Sequence, residues 1–320
     1  MSRQKSILVT GCAGFIGSNF TKQFHRQFLK IQIIGLDDLS TGRKSEINSL
    51  AKFYKGSITD KKLLEKIFKI HELEFVFNFA ALPRVSYSIE EPIKTTNVNI
   101  TGVVSLLDIS QKYKVKKFIH SSSSSVYGGA KKLPTKESEN SPDPKSPYAT
   151  QKYADEIFCK VFSDIFNINT ICLRYFNVFG PGQYGDSPYS TVISAWLEAA
   201  YFPGKKKAFI EGDGKQSRDF CYIDNVIKAN ILAMKSKKKF AGEVFNVAHG
   251  ERTSVNKVRN LIEKYTSRRL ILEQRPPRVG DVKHTHADIS KAKKLLGYKP
   301  KVKFEEGLKK TVAWFEMRIK

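Results

Sequence analysis

Short apolar runs and stretches of helical period alternate along the first half of the chain. Runs rich in Ile, Leu, Val and Phe predict strands at 6–10, 31–37, 51–55, 74–80, 117–123 and 169–175. Between them, apolar residues recurring every three or four positions predict helices at 15–29, 60–70, 97–113 and 147–166. Alternation at this spacing implies an α/β fold built on a doubly wound parallel sheet. Ligands of such sheets bind beyond the carboxyl ends of the strands. From about residue 177 the pattern changes. FNVFGPGQYGDSPYS is rich in Gly, Pro and Asn and reads as a long loop. Residues 189–201 read as a helix, and 219–235 with 243–248 as a helix–strand pair returning to the main sheet. Residues 254–266 and 288–296 read as further helices. The expected organisation is one domain over 1–176 plus about 219–249, and a smaller, discontinuous α/β lobe over 177–218 plus 250–320.

The composition sets limits on function. With 320 residues, 41% hydrophobic and 27% charged, the chain suits a globular protein with a large core. No apolar run approaches the roughly 20 residues of a membrane helix. The start, MSRQKSILVTG, runs straight into the first strand and leaves no room for a signal peptide. Cys12, Cys159, Cys172 and Cys221 are scattered, lack metal-ligand spacing, and are expected to be reduced. A cytoplasmic protein with no metal and no membrane partner is expected. The net charge of +24 is high enough to suggest nucleic acid or an anionic surface. However, the lysine runs, such as Lys205-Lys206-Lys207 and Lys237-Lys238-Lys239, fall in predicted loops and helix ends without interleaved aromatics. A solvated surface is the simpler reading, with no nucleic-acid partner. The excess charge favours a polyanionic small substrate.

Chemistry begins at ILVTGCAGFIG, residues 7–17. A predicted strand runs into Gly11, Gly14, Phe15, Ile16 and Gly17, and then into a helix. Strand, glycine turn and helix are the context of a dinucleotide-binding (Rossmann) fingerprint. Gly11 permits the tight turn, Gly14 lets backbone approach a pyrophosphate, and Gly17 lets the helix pack close. The second strand ends in Asp37, a carboxylate placed to hold the ribose hydroxyls of NAD and to repel a 2′-phosphate, with Asp38 as the neighbouring alternative. Further on, Tyr148 and Lys152 share one face of a predicted helix that opens with Pro147. An ammonium beside a phenol favours the phenolate, which can take a proton from a sugar hydroxyl while hydride leaves the same carbon. A hydroxyl from the run Ser121–Ser125 could hydrogen-bond the same oxygen.

The GxxGxxG spacing, the serine run and the Tyr-x-x-x-Lys pair together resemble the extended short-chain dehydrogenases/reductases. The resemblance covers nearly the whole chain and is nearest to NAD-dependent UDP-glucose/UDP-N-acetylglucosamine 4-epimerases. It implies a triad of Ser123, Tyr148 and Lys152, with Ser124 and Ser125 as neighbours of the serine. Nucleotide-sugar 4,6-dehydratases carry Asp-Glu just after the triad serine, where this chain has Ser124-Ser125, so dehydration lacks its acid and base. Gly56-Ser57-Ile58 stands where the family often has Gly-Asp-Ile against the adenine, and Ala80 opens the loop after the fourth strand. In that loop, AALPRVS departs from a GSVPRS-type sequence, and Arg84 keeps the reach to touch phosphates or sugar. The segments RYFNVFGP, SRDF and PRVGD resemble those in which Asn177, Arg218, Arg278 and Asp281 grip the diphosphate and uridine. Thr285 stands where a bulky Tyr confines relatives to non-acetylated sugars, so a small residue admits a 2-N-acetyl group. The resemblance also implies a homodimer through helices near 97–113 and 147–166. The function expected is reversible 4-epimerisation of a UDP-hexose, most readily UDP-GlcNAc/UDP-GalNAc and also UDP-Glc/UDP-Gal. UDP-uronic acid epimerisation and UDP-glucuronate decarboxylation stay open as alternatives. A non-enzymatic nucleic-acid-binding relative is the alternative from another class.

Overall fold

The computed structural model describes residues 4–186, 190–202, 208–276 and 282–319. Seven parallel strands form the main sheet: β1 (Lys5–Thr10), β2 (Gln32–Asp37), β3 (Lys52–Lys55), β4 (Glu72–Asn78), β5 (Lys117–Ser123), β6 (Thr170–Tyr175) and β7 (Ala241–Val247). Their order across the sheet is β7-β6-β5-β4-β1-β2-β3. The order reverses between β1 and β4, which opens a crevice at their carboxyl ends. β1 and β6 are buried almost throughout, as strands covered on both faces must be.

Alternate side chains feed two cores. Ile7 and Val9 join Phe20 and Phe24 of α1 (Phe15–Gln27) on one face. Val226 and Ile227 of the later helix Ile223–Lys235 complete that layer. Leu8 points the other way, into a cluster with Leu64 and Ile67 of α2 (Lys61–Ile70) and Leu106 of α3 (Gly102–Lys112). Cys159 of α4 (Pro147–Phe166) lies in the same cluster. Every predicted strand of the first half is present to within two residues, and Ala241–Val247 does return to the sheet edge beside β6.

The structure differs from expectation at three places. Residues ahead of α3 fold as two short helices, Val85–Glu90 and Pro92–Thr96, followed by a π-turn over Asn97–Thr101. Pro92 has no N–H to continue the preceding turn and starts the next helix instead. The helix expected from 219 begins at Ile223, because Cys221–Tyr222 pairs in parallel with Val178–Phe179. The strand pair Ala208–Glu211 with Leu272–Arg275 and the helix Phe304–Met317 add to the expected elements. Among the described residues no helix is long and apolar enough to cross a membrane.

One lysine ties a helix end to the sheet. Lys117 opens β5 almost fully buried, and its Nζ donates to the carbonyls of Ala233 at 2.8 Å, Met234 at 3.3 Å and Ser236 at 2.7 Å. These are carbonyls that the end of helix Ile223–Lys235 cannot satisfy itself. Burial alone pulls the ammonium down to about 8. Truncation as Lys117→Ala is expected to leave the carbonyls without that donor and to cost about 2–4 kcal/mol, read from urea denaturation.

Candidate active site

A cavity of about 1220 Å³ runs along the crevice at the carboxyl ends of the strands. A single small-molecule site occupies roughly 300–1,000 Å³, so this cavity has room for two ligands side by side. At one end lies the glycine turn. Gly11 adopts φ +66°, and a Cβ there would sit 2.7 Å from Ala80 N. A Cβ on Gly17 would come within 2.1 Å of the Gly11 carbonyl, so only glycine lets α1 pack this close. The turn leaves Gly14, Phe15 and Ile16 lining the cavity. Asp37 is buried at the end of β2, accepting from Ala13 N at 2.9 Å and from Leu39 N at 2.8 Å. Burial raises its pKa, against those two amides. Asp38 is exposed at the cavity edge, and Ser57, Ile58 and Ala80 line the same end.

The middle of the cavity holds the three residues expected as a triad. Ser146 caps α4 by accepting from Ala149 N, Pro147 fills the first position, and Ser88 Oγ accepts from Tyr148 N at 3.0 Å. Tyr148 and Lys152 therefore sit one turn apart on the cavity-facing side. The serine run divides by the alternation of β5. Ser122 turns inward to donate to Glu156, whereas Ser123 faces the cavity and accepts from Ser125 N at 3.2 Å and Ser125 Oγ at 2.9 Å. Ser124 and Ser125 line the cavity beside it.

Residues that the sequence did not flag position this machinery. Glu156 receives a two-pronged contact from Arg174, at 2.8 and 2.6 Å, fully inside the protein. Burial acts against the Arg174 charge, and the Glu156 carboxylate outweighs it, leaving the guanidinium above its ordinary range. Asn99 clamps the loop after β4 by bonding both backbone groups of Leu82, and Gln151 of α4 holds Asn99 at 2.7 Å. The one amide of α4, the buried Gln151 beside Lys152, was the available signal. Arg84 leaves this loop with φ +100°, a region an L-residue rarely adopts, and lines the cavity. Burial lowers its pKa, with the Tyr148 phenol opposing the fall.

At the far end three distant segments meet on one hydroxyl. Thr285 Oγ1 accepts from Asn177 Nδ2 and from Asp219 N, each at 3.1 Å, and Thr285 N donates to Ser217 O. Arg218 Nη1 donates to the carbonyls of Ser217 and Lys283 while lining the cavity. Asn177, Arg218 and Thr285 are thus brought together. Arg278 and Asp281 lie outside the described residues.

The sequence matches the family described as GDP-mannose 4,6 dehydratase over residues 8–311. The chain belongs to that family, within the extended short-chain dehydrogenases/reductases. Several solved structures lie close to this member. UDP-glucose 4-epimerase of Thermotoga maritima, solved with UDP-glucose, is 39% identical with a TM-score of 0.92, covering 98% of this chain and 100% of its own. UDP-N-acetylglucosamine 4-epimerase of Methanobrevibacter ruminantium, in complex with UDP-N-acetylmuramic acid, is 36% identical with a TM-score of 0.88, covering 99% and 100%. UDP-glucuronic acid 4-epimerase of Bacillus cereus, with UDP-glucuronic acid and NAD, is 33% identical with a TM-score of 0.86, covering 98% and 99%.

Within this family member, Asp219 is the knot of the far end of the cavity. Its fully buried carboxylate accepts from the backbone N–H of His249, Gly250 and Ala287. Burial pushes it up to about 7, against those three amides. The folded value lies above the unfolded one, so its contribution to stability is full below the unfolded range and is lost as pH rises through about 7. Between pH 6 and pH 8 the parent chain is expected to lose about 1 kcal/mol relative to Asp219→Asn, measured by urea denaturation at each pH.

Proposed function

We propose that the chain interconverts UDP-N-acetylglucosamine and UDP-N-acetylgalactosamine, and also UDP-glucose and UDP-galactose, by epimerising C4 through a 4-keto sugar. The chain is an NAD-dependent enzyme of the UDP-sugar 4-epimerase class. The choice of sugar is what is proposed, and Thr285 carries it. Its small side chain lines the cavity with the hydroxyl drawn aside by Asn177 and Asp219 N, which supports a pocket with room for an acetyl group.

The residues present fit NAD. The closely packed glycine turn and the amino end of α1 suit a pyrophosphate, and the buried Asp37 suits the ribose, with Asp38 next to it. Ser57, Ile58 and Ala80 would flank the adenine end, and Lys152 and Tyr148 the nicotinamide ribose. When bound, NAD supplies a reversible acceptor for the C4 hydride. Tyr148 takes the 4-hydroxyl proton and returns it, Lys152 favours its phenolate, and Ser123 orients the sugar oxygen. Asn177, Arg218, Arg278 and Asp281 anchor the UDP while the sugar turns. Ser124 and Ser125 offer no acid–base pair for eliminating water, which separates this chain from the dehydratase that names the family. The division into 1–176 plus about 219–249, against 177–218 plus 250–320, then separates a cofactor domain from a nucleotide-sugar lobe. A cytoplasmic enzyme fits this reading.

Arg84 favours a second reading. Its guanidinium lies beside Tyr148, and among the described residues no carboxylate acts on it. An acidic sugar, such as a UDP-uronic acid, would supply that carboxylate. Proton NMR of the purified protein with UDP-GlcNAc, without added NAD, is expected to show UDP-GalNAc, and Tyr148→Phe to abolish the conversion while leaving NAD bound. Turnover of UDP-glucuronate in place of UDP-GlcNAc would move the assignment to the acidic sugar, and carbon dioxide release would move it to decarboxylation.

We also propose a homodimer. Ile157, Val161 and Ile165 form an exposed apolar stripe along α4, with Ile165 67% accessible. Analytical ultracentrifugation is expected to find a dimer, and a monomer for the double variant Val161→Lys, Ile165→Lys. A monomeric parent would overturn the proposal.

A further inference from the structure

Beneath Tyr148 and Lys152 runs a row of buried polar side chains that the sequence analysis did not single out. Ala80 N donates to the Thr10 hydroxyl at 3.3 Å, Thr10 donates to Asn78 Oδ1 at 2.6 Å, and Asn78 Nδ2 donates to His120 Nδ1 at 3.2 Å. With Nδ1 accepting, the ring proton of the neutral imidazole resides on Nε2. Nε2 stands 3.3 Å from Asp155 Oδ2, and Asp155 Oδ2 stands 3.6 Å from Lys152 Nζ. His120 and Asp155 are wholly buried and Lys152 nearly so. Among the described residues, neither Asp155 oxygen nor His120 Nε2 has a well-aligned hydrogen bond.

A buried carboxylate without hydrogen bonds is costly unless a cation compensates it. The groups around Asp155 narrow the choice of cation. On α4 itself stand Lys152, Glu156 and Cys159; β5 brings His120, β4 brings Asn78, and β6 brings Cys172 and Arg174. Arg174 is engaged by Glu156. Asp108 and Lys112, on the neighbouring helix α3, pair with each other at the surface. Burial first, and then the Lys152 charge, lower the His120 pKa and keep the ring neutral. That leaves Lys152 as the partner of Asp155.

We propose that Asp155 is a positioning residue for the reaction: braced by His120 and Asn78, its carboxylate holds the Lys152 ammonium in place one helical turn from Tyr148. This rests on the reading of Tyr148 and Lys152 as the catalytic pair. The negative charge compensates the ammonium in a closed site. It also opposes the field of the ammonium at the phenol.

Asp155→Asn preserves the shape and removes the charge. The field of the ammonium then acts on the phenol unopposed. Both limbs of the kcat–pH profile are expected to move down by about one pH unit. A readout independent of turnover is the tyrosinate absorbance of the purified holoenzyme, titrated with pH and corrected by the matching protein that also carries Tyr148→Phe. The tyrosinate signal should shift in the same direction. His120→Gln, neutral before and after, should leave both limbs in place while lowering kcat. Coincident profiles and titrations for the parent and Asp155→Asn would overturn the proposal, and so would a shift in His120→Gln instead. Should the amide variant fail to fold, Asp155→Ser carries the same expectation. Retained turnover in Tyr148→Phe alone would instead remove the catalytic pair, a separate outcome.

Discussion

The seating of α4 on the sheet governs the rest of the site. Its outer end carries Tyr148 and Lys152, and its middle is locked by the buried contact of Glu156 with Arg174 of β6. Enclosing two opposite charges in a protein costs desolvation, and only good geometry with further hydrogen bonds offsets it. Both conditions hold here. The guanidinium meets both carboxylate oxygens, Ser122 donates to the same carboxylate, and the guanidinium lies 4.5 Å from the centre of the Tyr127 ring. The pair is directional, so it fixes the rotation of α4 about its axis as well as its position. A helix held by apolar packing alone would have more freedom to turn, and with it the phenol.

The opposite wall depends on close approach in place of charge. Gly11 and Gly17 bring α1 against the turn after β1, and a side chain at either would collide with backbone. The reversal of strand order between β1 and β4 then opens the crevice directly above this turn. The loop after β4 crosses that crevice under the clamp of Asn99 on Leu82. Gln151 links the clamp back to α4. The two walls are therefore mechanically connected, and the strained backbone of Arg84 is the position where that connection reaches the cavity.

The far end of the cavity is assembled differently, from segments far apart in the chain. Thr285 Oγ1 collects one side-chain and one backbone donor, and the Asp219 carboxylate collects three backbone N–H groups, all from distant segments. No regular element could do this, because a helix or strand uses its own N–H groups internally. Short side chains with oxygen acceptors replace secondary structure as the organising contacts there.

Much of the fold could be read from the sequence because its signals are local. Strand periodicity, the glycine spacing of 11, 14 and 17, and the four-residue step from Tyr148 to Lys152 each depend on a few neighbouring residues and on backbone geometry. The same locality identified Asp37, whose place follows from the end of a strand. What the sequence could not decide were the contacts between distant elements. Nothing local distinguishes Ser122, which turns in to Glu156, from Ser123, which faces the cavity, until the phase of β5 is fixed by its neighbours. Nothing local tells Cys221–Tyr222 to extend before its partner Val178–Phe179 is in place. His120, Asp155 and Asn78 read as ordinary polar residues until packing withdraws the water that would have screened them. Local geometry determined the chemistry the chain carries, and burial, which only the tertiary structure creates, decided which polar groups had to find one another.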